Sequence, residues 1–234
     1  MPLHTNLLLI ADHASNYMPK KYNNLCVSKK EILTHKAFDL GVRDLAINLS
    51  NKLNSYLVLG EYSRLLIDCN RGLNDPTLIS AISDRKLILG NIKITKQERV
   101  KRINNIYRPY HEKIRKKILE KKINVIVSLH SFNPIFKGKK RKIKYGILSN
   151  QDRRLSDLLL NELKKKNNVV GDNEPYKGSL IGDTLYKHAL NRGLHHSLIE
   201  VRNDLLSNVK KIDQVSNLLY RVINKSINSL SKKS

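Results

Sequence analysis

Several residue types are scarce in this chain of 234 residues, and each scarcity removes a class of protein. The only cysteines are Cys26 and Cys69, without CxxC spacing, which excludes a disulfide framework and a thiolate zinc site. No apolar run approaches the ~20 residues that a membrane-spanning helix requires, so we expect no membrane association. The first residues, MPLHTNLLLIADH, lack a basic segment and a small-residue cleavage site, which predicts a cytoplasmic protein without a signal peptide.

Acidic residues are also scarce, since 20 Asp and Glu accompany 44 Lys and Arg and leave a net charge of +24. A charge of this size is compatible with a nucleic-acid partner, but no recognition motif accompanies it. The basic residues occur mainly in runs such as 137–144 and 163–168, which are typical of solvated turns and helix ends. We therefore expect no nucleic-acid partner, although a positive surface would attract a small acidic substrate.

Neither an internal repeat nor a Pro/Gly-rich linker divides the chain, which predicts a single α/β domain over residues 1–234. Apolar segments typical of strands cover 7–12, 56–60, 64–68, 124–129, 144–149 and 196–201. Helical periodicity is found over 38–53, 155–163, 205–230 and 95–122, the last interrupted by Pro109. This alternation indicates an α/β fold with a mainly parallel mixed sheet that is flanked by helices.

Polar side chains end four of the predicted strands, and they are Asp12, His13, Asp68, Asn70, Arg71, His130, Glu200, Arg202 and Asp204. In a parallel sheet the carboxyl ends of the strands lie along one edge, so we expect these groups to converge. Imidazoles together with carboxylates and arginines are the composition of a metal-assisted hydrolytic site. Taken alone, a histidine at the end of a strand is explained by a hydrogen bond in the core. Asp68, taken alone, is explained by a structural ion pair with Arg71. Glu200, however, lies among apolar residues and is costly to bury unpaired.

Five regions of the sequence, taken in order, carry a resemblance. They are DHASNYMP (12–19), HKAFDLGVRDLA (35–46), SRLLIDCNR (63–71), LHSFNP (129–134), and NEPY (173–176) followed by IEVRNDL (199–205). Together they resemble the N-formylglutamate amidohydrolase family, which is related to zinc carboxypeptidases and aspartoacylases, from about Leu7 to Asp204. The resemblance implies a phosphorylase/hydrolase-like α/β fold and a divalent metal, expected to be Zn²⁺, that activates water.

The resemblance also implies a set of metal ligands. His13 and His130 match the metal-binding histidines, and Asp39 is the preferred third ligand. The alternative is Asn16, which stands where the related carboxypeptidases have a glutamate, but an amide oxygen brings no charge to the metal. Asp12 is expected to hold the ring of His13 by a hydrogen bond.

The remaining roles follow the same resemblance. Glu200 corresponds to the general base, which takes a proton from water and returns it to the leaving amine. Arg64 is expected to stabilise the oxyanion of the tetrahedral intermediate. Asn70 and Arg71 resemble a pair that holds a substrate carboxylate, and Arg202 is expected to bind a second carboxylate.

With these residues, the resemblance implies a metal-dependent amidohydrolase that cleaves the formyl C–N bond of N-formyl-L-glutamate or a close N-acyl amino acid. Such a substrate is small and anionic. Three alternatives stay open at this point. The same scaffold would also suit another acylated amino acid, amide or peptide. A basic nucleic-acid-binding protein on an inactive hydrolase scaffold would explain the charge. A metal-free protein with a structural or regulatory role would explain the missing glutamate at Asn16.

Overall fold

The computed structural model describes residues 6–178 and 181–231. Its centre is one sheet of six strands: β1 (Leu7–Ala11), β2 (Tyr56–Leu59), β3 (Val125–Phe132), β4 (Tyr145–Leu148), β5 (Val170–Asp172) and β6 (His195–Arg202). Their spatial order is β2-β1-β3-β6-β4-β5. Neighbouring strands are parallel except for β4 and β6, which are antiparallel. The predicted α/β fold with a mainly parallel mixed sheet is confirmed.

Seven α-helices flank this sheet within the described residues. They are α1 (Lys29–Ile32), α2 (Val42–Leu53), α3 (Lys96–Arg102), α4 (Arg108–Glu120), α5 (Arg154–Lys164), α6 (Thr184–His188) and α7 (Val209–Ser231). The helix predicted over 95–122 is interrupted by a π-helical turn, Ile103–Tyr107, just before Pro109. Proline lacks the amide hydrogen that would bond to the preceding turn, so that turn departs from α-helical geometry. No helix in the described part of the chain is long and apolar enough to span a membrane.

The sheet separates two apolar cores. Leu7, Leu9 and Ala11 face the core that contains α2, α5 and α7, whereas Leu8 and Ile10 face the core under α4. Burial on both faces explains why β1 reads as a continuous apolar run rather than an alternating one. The sheet is therefore covered on both sides, and Asp12, His13, His130 and Glu200 lie toward the edge where the parallel strands end.

The segment 64–68 was predicted as a strand, and this prediction is wrong. Its residues form a buried turn, in which Ser63 Oγ donates to the carbonyl of Ala37 and the amide of Asp68 donates to the carbonyl of Leu78. Because such bonds satisfy the backbone without a neighbouring strand, the apolar residues of this segment can be buried outside the sheet.

The structure adds strands that the sequence did not indicate. Strand β5 is short, and two small hairpins cover Ile82–Ser83 with Lys86–Leu87 and Ile135–Phe136 with Lys139–Lys140. The hairpin strands have two residues each, which is too short for an alternating pattern to show in the sequence. Residues 1–5, on which part of the signal-peptide prediction rests, lie outside the described residues.

Candidate active site

Three of the predicted ligands meet at the carboxyl edge of the sheet. His13 follows β1, His130 lies in β3, and Asp39 lies in the turn before α2. One ligand atom from each lies within 4.8 Å of the others, and all three side chains are buried. Asp39 Oδ2 is 2.8 Å from His130 Nδ1 and 3.5 Å from His13 Nδ1. The two Nδ1 atoms therefore face one carboxylate oxygen.

The backbone fixes Asp39 between two strands. Its amide donates to the carbonyl of His13 at 2.9 Å, and its Oδ2 accepts from the amide of Ser131 at 3.3 Å. Gly41 follows in the left-handed region, with φ of 75°, and a Cβ there would lie 2.5 Å from Leu206 Cβ. Only glycine fits this close turn, which brings Asp39 to the end of the sheet as α2 begins.

A carboxylate lies behind each histidine. Asp68 Oδ1 is 2.7 Å from His13 Nε2, and Asp12 Oδ2 is 3.2 Å from His130 Nε2. The expected pairing of Asp12 with His13 is therefore wrong, because consecutive residues at the end of a strand point to opposite sides. Imidazoles held in this way by carboxylates are oriented for metal binding through the other nitrogen.

Asp12 is itself held by residues from distant parts of the chain. Its carboxylate accepts hydrogen bonds from Tyr110 at 3.0 Å, Thr184 at 2.5 Å and Ser128 at 3.4 Å. Burial opposes ionisation, but the hydrogen bond and charge of His130 outweigh it and hold the pKa of Asp12 below its usual range. Tyr110 and Thr184 were missed by the sequence, and no local pattern connects them to Asp12.

Carboxylates outnumber the arginine charges around the histidines. Asp12, Asp39 and Asp68 are three buried carboxylates, and the Arg64 guanidinium bonds two of them, at 3.3 Å from Asp39 and 3.1 Å from Asp68. Burial disfavours the charged guanidinium, yet the Asp68 carboxylate raises the pKa of Arg64. Three negative charges and one positive charge leave −2 when the imidazoles are neutral, the form in which they would bind a metal. Without a metal, burial opposes protonation of His130, but the Asp12 and Asp39 carboxylates raise its pKa. A divalent cation would compensate the excess negative charge.

The donor set fits zinc. Two imidazole nitrogens and a carboxylate oxygen are ligands that catalytic zinc sites use. Among the described residues, the buried His13 Nδ1 has no hydrogen-bond partner, as expected for an atom that binds something else. The alternative ligand, Asn16, lies apart from this group, since its amide donates to the carbonyl of Ile32 at 3.3 Å.

Glu200 lies beside this group on the neighbouring strand. It is opposite His130 in the β3–β6 register, and its side chain lines the adjoining cavity. Its Oε2 is buried without a hydrogen-bond partner in the described part of the protein. Burial raises the pKa of Glu200 to about 7, against the charge of the His130 ring. Gly146 leaves room for it, because a Cβ there would lie 3.2 Å from Glu200 Cβ.

A cavity of about 400 Å³ opens next to these groups, and Asn70 and Arg71 lie in its wall. Asn70 Oδ1 accepts from the amide of Thr184 at 3.1 Å. Arg71 Nε donates to Thr77 at 3.1 Å, and its Nη1 donates to the carbonyl of Asn70 at 2.9 Å. These bonds fix the guanidinium while Nη2 has no protein partner among the described residues. Arg71 can therefore bind an anion in the cavity.

Arg202 does not line this cavity, although it was predicted to hold a second substrate carboxylate. Its guanidinium bonds Asp204 at 2.7 and 3.2 Å and the carbonyl of Arg141 at 2.8 Å. The side chain is buried, and these partners satisfy it beyond the end of β6. The structure therefore gives Arg202 the role of joining the segment 141–143 to the end of the sheet.

Comparison with known proteins shows the family of this chain. The sequence profile of N-formylglutamate amidohydrolases matches residues 5–207. The chain belongs to the N-formylglutamate amidohydrolase family. The predicted family is thus confirmed. The family supports the predicted amidohydrolase activity in general terms, without a substrate. Among curated proteins there is no significant sequence match.

Solved structures agree with the fold. A gene product of Agrobacterium tumefaciens is 33% identical, with a TM-score of 0.93, and the match covers 98% of this chain and 93% of that one. The N-formylglutamate amidohydrolase of Ralstonia eutropha is 20% identical, with a TM-score of 0.73 and coverage of 98% and 95%. A bacteriophage poly-gamma-glutamate hydrolase, 11% identical with a TM-score of 0.52, covers 99% of this chain and is covered over 87% of its own length. The last two show the shared fold alone.

Proposed function

We propose that this protein is a zinc-dependent amidohydrolase that removes the formyl or another acyl group from an N-acyl amino acid. The observation that carries the proposal is a buried Glu200 carboxyl, with one oxygen unpaired, beside the buried group of His13, Asp39 and His130. N-formyl-L-glutamate is the substrate that the family name suggests. A cytoplasmic location stays a prediction, and so does the absence of a nucleic-acid partner.

His13 Nδ1, Asp39 Oδ2 and His130 Nδ1 would hold the metal. Zinc, when bound, supplies Lewis acidity, which polarises an amide carbonyl and lowers the pKa of water. With Asp68 and Asp12 accepting hydrogen bonds from the Nε2 atoms, both rings would present an unprotonated Nδ1 to the metal.

The protein's own groups account for the proton movements. Glu200 faces the cavity and is placed to accept the proton of the attacking water at its free Oε2. The same carboxyl then returns this proton to the leaving nitrogen, which departs as an amine. Two N–H groups of Arg64 are bonded to Asp39 and Asp68, and its others can donate to the developing oxyanion. Arg71, fixed by Thr77 and Asn70, holds the substrate's α-carboxylate.

The test is release of formate and amino acid from N-formyl-L-glutamate and from N-acetyl amino acids by the zinc-loaded protein. We expect equal amounts of the two products, loss of activity on chelation, and recovery on adding zinc. Cleavage of only the N-acetyl amino acids would support amidohydrolase activity but exclude specificity for the formyl group. A folded, zinc-loaded protein that cleaves none of these amides would contradict the proposal.

A further inference from the structure

The cavity extends from Glu200 along one face of β6. His196, Leu198 and Glu200 alternate along this strand, and all three line the cavity. At about 3.3 Å per residue, the cavity follows the strand for roughly 13 Å. Glu200 stands at its catalytic end and His196 at the other. The cavity is therefore deeper than a formyl group and an amide bond require.

Leucines form the wall between those two ends. Leu148 pairs with Leu198 across the antiparallel β4–β6 ladder, so their side chains lie next to each other. Leu185 comes from α6, and Leu190 from the short turn that follows that helix. All four line the cavity, and three of them are buried, Leu190 being half-buried. They form an apolar surface directly beside the groups that would cleave the amide.

Three cations line the described wall of the cavity, and one of them is already engaged by carboxylates. Arg64 is bonded to Asp39 and Asp68. Arg71 is available for one carboxylate, and Lys177 is exposed. Across the described residues, no other Lys or Arg lines this cavity. A buried acid, Asp183, is also present in the wall, where it caps α6.

These features disagree with an acidic side chain on the substrate. A second carboxylate that reached the leucines would lose its hydration without gaining a buried cation, which is strongly unfavourable. An aliphatic or thioether side chain would instead bury its surface against the four leucines. The α-carboxylate would still be bound by Arg71, in the wall of the same cavity.

We infer that this amidohydrolase selects N-acyl amino acids with an apolar side chain of the size of leucine or methionine, rather than N-acylglutamate. The inference rests on the proposed function for the reaction and on the leucine wall for the selectivity. It names the substrate class of the same site, since the side chain on Cα would extend along β6 from Glu200 toward His196.

The experiment compares kcat/KM of the zinc-loaded protein for N-formyl-L-methionine, N-formyl-L-leucine and N-formyl-L-glutamate. We expect kcat/KM to be at least about tenfold higher for the two apolar substrates, because burial of their side chains against the leucines stabilises the bound state. Leu190→Arg places a cation on the wall at a half-buried turn and should reduce the preference at least about tenfold. Leu190→Met is the matched control and should retain the preference.

Failure of the inference and failure of the proposed function give different results. If the kcat/KM for N-formyl-L-glutamate equals or exceeds that for the apolar substrates, the inference is overturned and the proposed function is kept. In that case, loss of the glutamate preference in Lys177→Met would identify Lys177 as the cation that binds the second carboxylate. Absence of all hydrolysis would contradict the function. Calorimetry of free methionine and glutamate with the zinc-loaded protein then decides the inference, since tighter methionine binding supports it and equal or tighter glutamate binding overturns it.

Discussion

Two pairs of histidine rings lie against each other in the described part of the chain, and they differ in what surrounds them. The rings of His13 and His130 are 4.9 Å apart, and those of His111 and His188 are 5.1 Å apart. Carboxylates contact both nitrogens of each ring in the first pair. Within the described part of the chain, no carboxylate oxygen bonds either ring of the second pair. Proximity of two imidazoles is thus common to both, and only the carboxylates indicate a metal site.

The second pair is bonded to itself and to the backbone, and among the described residues only the buried His188 Nδ1 of these two rings has no partner. His111 Nε2 donates to the carbonyl of Cys69 at 3.1 Å, so its Nδ1 accepts from His188 Nε2 at 2.9 Å. Burial lowers the pKa of His111 to about 3 and that of His188 to about 4, and the charge of Lys187 adds to both shifts. Neutral rings bonded to each other and to the backbone have a structural role. The comparison therefore separates a structural pair from a candidate metal pair by their hydrogen-bond partners.

The largest expected effect concerns the acid that accompanies only the first pair. Glu200→Gln keeps the shape of the side chain but removes the base, so turnover should fall about 100-fold or more. Zinc content and the circular dichroism spectrum should be unchanged, because Glu200 is not among the proposed ligands. His188→Gln, in the second pair, is the control and should keep turnover within about threefold of the wild type. Near-normal turnover in Glu200→Gln would refute its role as the base.

A smaller effect is expected when the carboxylate behind His13 is neutralised. Asp68→Asn removes the charge that orients the ring, and we expect the Kd for zinc to rise about 10- to 100-fold. Asp172→Asn, which breaks an exposed ion pair with Arg153, is the matched control and should leave the Kd unchanged. The measurement is competition with a zinc chelator of known affinity. Equal Kd values for the two variants would show that Asp68 does not support the site.

A further effect concerns stability in acid, and it belongs to the second pair. Folding lowers the pKa of both rings from 6.5, so the unfolded chain binds more protons as the pH falls from 6.5 toward about 4. The stability that the neutral pair contributes is present above pH 6.5 and is lost through that window. We compare the free energy of unfolding in urea of the metal-free proteins at about pH 6.5 and 4.5. Between these pH values, it should fall by about 2 kcal/mol more in the wild type than in His188→Gln. Parallel pH profiles would contradict this account.

The sequence predicted the parts of the site that follow strands. His13, His130 and Glu200 were found because apolar runs ended at them, and the order of strands then brings them together. The partners of Asp12 could not be predicted, because Tyr110 and Thr184 are brought to it only by the packing of α4 and α6. Their contacts depend on tertiary structure and have no period or spacing in the sequence.

Two errors have a similar origin. The buried turn at 64–68 has the composition of a strand, and only its bonds to Ala37 and Leu78 distinguish it. Arg202 follows Glu200 by two residues and shares its side of β6, yet Asp204 and the carbonyl of Arg141 bind its guanidinium first. Sequence patterns indicate which face of a strand a residue occupies, but not which partner at the end of that strand will satisfy it.

Zinc content measured by elemental analysis tests the difference between the two histidine pairs most directly. Protein that has been saturated with zinc and freed of excess metal should contain about one zinc per chain. The double variant His13→Ala/His130→Ala should contain none, whereas His111→Ala/His188→Ala should still contain about one, with circular dichroism showing that both are folded. Retention of zinc without His13 and His130, or a folded wild type that binds no zinc, would contradict the account.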